Sequence, residues 1–335
     1  MSKKIKIIST TFLALALGIT ILVHNSVSVS ADAKNIRLDG LTRYTTAVAT
    51  SKEGWPSGSD VVVIVSGSNF PDALSSAPLA KKYNAPILLS SNEGLTEEVL
   101  GEVSRLKVKK AYIVGGTLAV PSNVDSQLKQ KGISIERLSG YDRYETAVKV
   151  AKEIGTSNGV VLASGVSFAD ALSIAPIAAK NQMPILLTRS DEFSEYNKSF
   201  INSNSISKTV VVGGTTVIPN NIMNNYPSSI RLSGYNRYQT NVRILDYYAS
   251  SLNMNSIFLA SGSNFPDGLV GAPIAALYSA PVILLEQYDN TVVLDRIDGV
   301  DCEKVYTLGG TSAVSESIVS SVIECVSKFR VVNIE

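Results

Sequence analysis

One phrase, written three times, constrains this chain more than any other feature. Residues 66–80 read SGSNFPDALSSAPLA, residues 164–178 SGVSFADALSIAPIA and residues 261–275 SGSNFPDGLVGAPIA. Other phrases recur around it in fixed order. RLDGLTRY, RLSGYDRY and RLSGYNRY stand at 37–44, 137–144 and 231–238, and PILL, PILL and PVILL at 86–89, 184–187 and 281–285. IVGGTLAVP, VVGGTTVIP and TLGGTSAVS follow at 113–121, 211–219 and 307–315. Self-similarity with a period of about a hundred residues implies three copies of one folding unit. The expected division is 32–132, 133–228 and 229–335.

Residues 1–31 are set apart. Lys3, Lys4 and Lys6 precede an apolar stretch at 12–23, and small residues follow at 28–31. That is the layout of a secretory signal peptide, too short for a confident membrane span. Of 30 basic and 29 acidic residues, the leader takes three lysines and no acid, so the remainder carries 27 against 29, a net charge of −2. No global basic field is left to attract nucleic acid or an anionic lipid surface. The one histidine, His24, also lies in the leader. A mature chain without it has no His-based triad and no His-ligated metal, and two cysteines are too few for a Cys-only structural zinc site. No cofactor is implied.

Within each unit, short β-branched runs such as 61–65, 87–89 and 111–114 read as strands buried on both faces, as in a parallel sheet. Between them lie helical stripes; Tyr144, Ala147, Val148, Ala151 and Ile154 share one face. The pattern is βαβαβαβα three times over, which predicts three tandem Rossmann-like or flavodoxin-like α/β modules with mainly parallel sheets. The PILL runs read as buried central strands. The strand before RLxG occurs four times, at 35–38, 133–138, 230–232 and 329–334, against three copies of everything else. One end copy therefore completes a terminal domain or is redundant.

The glycine-bearing motifs all fall at strand-to-helix turns, the sheet edge where open parallel sheets bind ligands. Asn69, Ser167 and Asn264 are expected as helix N-caps, with Asp72, Asp170 and Asp267 three residues on, accepting free backbone amides. Phe70, Phe168 and Phe265 are expected to pack beneath the loop. Thr42, Asp142 and Asn236 read as N-caps too, with Glu145 and Gln239 completing capping boxes. That places Arg43, Arg143 and Arg237 at the first helical position, where the helix dipole disfavours a cation by ~0.3–1 kcal/mol. Each guanidinium is expected to have an anionic partner: the aspartate of a neighbouring loop, an anionic ligand held as arginine holds phosphate or carboxylate, or both. Gly115-Gly116-Thr117, Gly213-Gly214-Thr215 and Gly309-Gly310-Thr311 are tight turns or backbone-amide nests for an anion. None matches a nucleotide-binding fingerprint.

Taken together behind a leader, the RLxGxxRYxTA, SGxxFxDxL, PILL and GGT phrases make the chain resemble cell-wall-binding type 2 repeat proteins, over essentially residues 36–335. The resemblance implies three modules packed as a pseudo-threefold disc, secreted to the cell surface, that attach non-covalently to an anionic polysaccharide or teichoic-type polymer of a Gram-positive wall. It links the PILL phrase to that attachment and suggests surface-layer proteins or an autolysin as further partners. Thr45, Ala169 and Gly268 depart from the pattern. Family members often carry a separate effector domain, and here the repeats are expected to fill the mature chain.

Three functions follow: a wall anchor without catalytic residues, a modifier of a separate wall hydrolase, or a hydrolase. The last is disfavoured, because a glycosidase needs two carboxylates about 5–9.5 Å apart and each repeat offers one obvious candidate. Cys302 and Cys325 stand at the start of a strand and near the end of the next helix. A disulfide between them is open, with two buried thiols as the default.

Overall fold

A parallel sheet needs helical crossovers on its faces, and the alternation in the sequence supplies them. The computed structural model describes residues 33–326 in full and, as backbone, two further short strands at 26–29 and 330–333. The leader at 1–31 lies outside the described residues apart from the first of those strands. In chain order the elements begin with β1 (Ser26–Val29) and β2 (Lys34–Leu38). The first repeat continues with α1 (Arg43–Gly54), β3 (Val61–Ser66), a 3-10 turn running into α2 (Ser76–Lys82), β4 (Ile87–Ser90), α3 (Glu97–Leu106), β5 (Lys110–Val114) and α4 (Asn123–Gln130). The second has β6 (Ser134–Leu138), α5 (Arg143–Ile154), β7 (Val160–Ser164), α6 (Ala169–Lys180), β8 (Ile185–Thr188), α7 (Glu195–Asn202), β9 (Thr209–Val212) and α8 (Asn220–Met223). The third has β10 (Ser229–Leu232), α9 (Arg237–Tyr247), β11 (Ser256–Ser261), α10 (Pro266–Leu277), β12 (Val282–Leu285), α11 (Thr291–Ile297), β13 (Lys304–Leu308) and α12 (Glu316–Val326). β14 (Arg330–Asn333) follows. The βαβαβαβα pattern is met in every repeat.

The strands form three four-stranded parallel sheets, ordered β4-β3-β5-β6, β8-β7-β9-β10 and β12-β11-β13-β2. The strand before each RLxG phrase thus pairs with the preceding repeat, and Leu138 lies beside Val114 and Leu232 beside Val212. For the third sheet the missing strand comes from the start of the chain, with Leu38 beside Leu308. This resolves the surplus copy: the first completes the last sheet, and the last, β14, pairs antiparallel with β1 instead. The expected boundaries at 132/133 and 228/229 fall just before β6 and β10, so sequence repeat and sheet are offset by one strand.

One expectation needs correcting. β4, β8 and β12, the PILL strands, are edge strands by pairing rather than central ones. They are nonetheless fully buried, because α1, α5 and α9 pack over them. At β12 the buried Asn241 of α9 bonds the strand's backbone directly, donating to the Val282 carbonyl (2.9 Å) and accepting from the Leu284 amide (3.1 Å).

Between the sheets, α2, α6 and α10 pack on one another. Phe70, Phe168 and Phe265 do not merely sit under their own loops. Their rings meet at centroid distances of 5.7, 5.7 and 6.2 Å, a geometry that favours tilted and edge-on aromatic contacts. Gly268, where the other repeats have Ala73 and Ala171, has a packing reason: a Cβ there would lie 2.7 Å from the Leu172 side chain. The two cysteine sulfurs are not bonded to each other. Cys302 is a buried thiol pushed up to about 11 by desolvation, and Cys325 faces the Leu294 carbonyl at 3.1 Å.

Candidate functional site: three clefts at the carboxyl edge

Arg43, Arg143 and Arg237 begin α1, α5 and α9, as the capping residues dictate. Thr42 caps α1, and Thr45 returns the bond to the Thr42 amide at 2.9 Å, so it does the work expected of an acid or amide there. Asp142 and Asn236 each accept two amides of the first turn. Glu145 and Gln239 reach one residue further back than a capping box requires, to the amides of Tyr141 and Tyr235.

Each of these arginines then donates to the carbonyl of the glycine in the SG turn, Gly67, Gly165 or Gly262, at 2.5 Å. The next residue explains that glycine. A Cβ on Gly67, Gly165 or Gly262 would fall 2.8, 2.6 or 2.4 Å from the ring of Tyr44, Tyr144 or Tyr238. The RY and SG phrases are therefore one interlocked unit.

The SG turn itself is capped by its serine rather than as expected. Ser66 Oγ accepts the amides of Ser68 and Asn69, and Ser164 and Ser261 accept those of Val166 and Ser263. Asn69, Ser167 and Asn264 are not the N-caps; the helical segments start later, behind Pro71, Phe168 and Phe265, without a side-chain cap. Nor do the aspartates accept backbone amides among the described residues. Asp72, Asp170 and Asp267 instead pack against Gly115, Gly213 and Gly309, where a Cβ would lie 3.1, 2.8 and 2.4 Å from a carboxylate oxygen. Those glycines also hold φ of 123°, 124° and 91°, a region that side chains disfavour. Burial raises the pKa of all three aspartates above the usual 3.8. For Asp72 a bond from Thr146 and then the Arg143 charge oppose the rise; for Asp170 and Asp267 the opposing charges are Arg237 and Arg43.

Each aspartate thus faces the arginine of the following repeat, and the third faces the first. Among the described residues none of the three guanidinium groups has a carboxylate within salt-bridge distance, 4.0 Å. Asp72, Thr117, Leu118, Tyr141 and Arg143 line a cleft of about 450 Å³ between the first and second repeats. Thr117, Thr215 and Thr311 are exposed. So are Leu41, Tyr141 and Tyr235, which stand at one repeat position beside the arginines.

A second set of arginines went unread in the sequence. Arg37, Arg137 and Arg231, the R of RLxG, clamp the glycine-pair loops. Arg137 bonds the carbonyls of Gly115 (2.8 Å) and Val120 (3.0 Å). Arg231 holds those of Gly213 and Ile218, and Arg37 those of Gly309 and Val314. Their threefold recurrence was the available signal. Amides of Gly116, Thr117 and Leu118, and their counterparts at 214–216 and 310–312, have no protein acceptor among the described residues.

The profile of the family described as Cell wall binding domain 2 (CWB2) matches residues 37–125, 137–223 and 231–319. This chain belongs to the CWB2 family. Its three repeats are wall-binding domains, and the chain is a secreted cell-wall protein. Over 320 residues it is 38% identical to N-acetylmuramoyl-L-alanine amidase LytC of Bacillus subtilis, covering 95% of this chain and 62% of the amidase. It is 27% identical over 292 residues to the amidase enhancer of the same organism, covering 86% of this chain and 40% of that protein. Among solved structures, Cwp6 from Clostridium difficile superposes with a TM-score of 0.84 at 26% identity, over 98% of this chain and 52% of Cwp6. Cwp8 gives 0.78 at 27%, over 88% and 52%. The CWB2 chain therefore spans about half to three-fifths of most of these relatives.

Proposed function

We propose that this protein attaches non-covalently to the wall by holding an anionic secondary polymer in three clefts, each built from the aspartate and GGT loop of one repeat and the arginine of the next. The observation that carries this reading is the state of Arg43, Arg143 and Arg237: each is tethered by a glycine carbonyl, stands at a positive helix end and, among the described residues, has no carboxylate at contact distance. A phosphate or carboxylate of the polymer completes the balance, with the amides at 116–118 and their counterparts as further donors. The buried aspartates orient the arginines from behind. The attachment units are the repeats 32–132, 133–228 and 229–335, arranged with pseudo-threefold symmetry. The cyclic order of aspartate and arginine and the meeting of the three phenylalanines support that arrangement. A flavodoxin-like description fits the strand order of the first two modules, second-first-third-fourth along the chain, and of the third once β2 from the start of the chain takes the place of its fourth strand.

The test is retention on isolated wall sacculi. Replacing one arginine by alanine is expected to weaken retention partially, and replacing Arg43, Arg143 and Arg237 together to abolish it while the fold persists by circular dichroism. Full retention of the triple variant, or equal retention on sacculi stripped of secondary polymer, would overturn the reading.

The amidase-enhancer relative favours a second role, in which the anchored protein also binds and stimulates a separate wall amidase. Recovery of an amidase with the protein from wall extract supports it, and recovery of the polymer alone does not.

A further inference from the structure

The amino-terminal edge of the sheets carries a different asymmetry. At the first-to-second repeat junction, Tyr83 and Tyr112 stack at 4.8 Å and both hydroxyls bond Glu153, from the end of α5. Lys82 pairs with that same Glu153 at 3.8 Å, and Lys110 with Glu136 at 2.7 Å. At the third-to-first junction Tyr278 and Tyr306 stack at 5.7 Å, and Tyr306 bonds Glu53 at 3.3 Å. Two junctions are thus sealed by a stacked tyrosine pair closed with a glutamate.

The second-to-third junction is not. Aligned on the repeated phrases, Asn181 and Val210 replace the tyrosines, Tyr247 replaces the glutamate and Ile230 replaces Glu136. The two lysines remain as Lys180 and Lys208; Lys180 donates to the Ser251 carbonyl, and among the described residues neither lysine has a carboxylate within 4.0 Å. A cleft of about 730 Å³ opens there, lined by both lysines, Asn158, Gln182, Tyr247 and Tyr248. Tyr247 is half exposed. Tyr248 is 9% exposed, and its hydroxyl has no hydrogen-bond partner among the described residues. An orphaned buried hydroxyl is costly enough to need an explanation.

We propose that this cleft is a second ligand site that takes an acidic saccharide. Its carboxylate replaces the missing glutamates before Lys180 and Lys208, a sugar face rests on Tyr247, and ring hydroxyls meet Tyr248 and the side-chain carbonyl oxygens of Asn158 and Gln182, whose amide nitrogens donate to the backbone at Asn181 and Ala179. The volume suits a small ligand. The site lies on the sheet edge opposite the arginine clefts and does not depend on how those clefts are read.

Trigalacturonic acid serves as the probe, with its fully methyl-esterified form as the uncharged control, in calorimetric titrations of the full chain carrying alanine at Arg43, Arg143 and Arg237. Binding of the acid and not of the ester is expected. Adding Lys180→Ala or Lys208→Ala should weaken it about tenfold, the scale of one charge-assisted hydrogen bond. Adding Tyr247→Glu, which copies Glu53 and Glu153, should abolish it. Thermal unfolding of each variant confirms the fold; Lys208 is exposed, with only its stem against Gly159. No binding at roughly 10 mM probe, equal binding of the ester, or binding unmoved by Lys208→Ala and Tyr247→Glu would overturn the proposal.

Discussion

A cation at the positive end of a helix is a small local defect, and its threefold repetition made the arginines legible before any coordinates. The sequence also placed Asp72, Asp170 and Asp267 at the same edge, but it misassigned their task. A carboxylate near a helix start reads as a cap, whereas here each is buried against the glycine of another loop, a contact between segments far apart in sequence. Burial makes these aspartates titrate above 3.8. The folded state therefore holds protons that the unfolded chain has released, and stability falls as pH rises through that window. Replacing all three by asparagine is expected to raise the melting temperature relative to the parent more at about pH 7 than at about pH 4. A difference that is the same at both pH values, or reversed, would show that their ionisation carries no cost. The exposed ring of Tyr141, beside Arg143, is expected to contribute binding area: Tyr141→Ala should weaken retention on sacculi by a few-fold, and Leu41→Ala, at the position lacking a ring, by less.

At the level of elements, the alternation of strands and helices was readable because apolar runs and amphipathic stripes are local patterns. Edge position was not. The PILL strands are apolar throughout because α1, α5 and α9 cover them, and burial by a helix looks the same in sequence as burial between strands. Asn241 marks where such a cover also satisfies the strand backbone. Asn241→Ala leaves the Leu284 amide and the Val282 carbonyl without that partner, at an expected cost of about 1–3 kcal/mol, measurable as a lower urea midpoint at unchanged slope. The clamps of Arg37, Arg137 and Arg231 were missed because carbonyl acceptors leave no charge pattern to read, and the carboxylates that two of them also meet, Glu316 and Asp125, have no counterpart at the third, where Asn220 stands.

For the molecule as a whole, the repeat count was plain, but the closure was not, since nothing in a strand's sequence says which sheet it joins. The three proposed clefts, linked on a polymer with repeated units, would gain avidity of roughly 10²–10⁴ over one. That is why single arginine replacements are expected to act mildly and the triple one severely. The closure has its own test. Removing residues 1–38 takes away β2 and the Arg37 clamp, and should lower the melting temperature and make the segment around β13 the first cut by protease. Unchanged melting would mean that the third sheet does not need its borrowed strand.

That borrowed strand also sets a timetable. A polypeptide threaded outward from its first residue delivers β2 at the beginning and β13, its neighbour, near the end. The last sheet stays open until export is almost over, so a chain halted midway leaves the pore with its final module unmade.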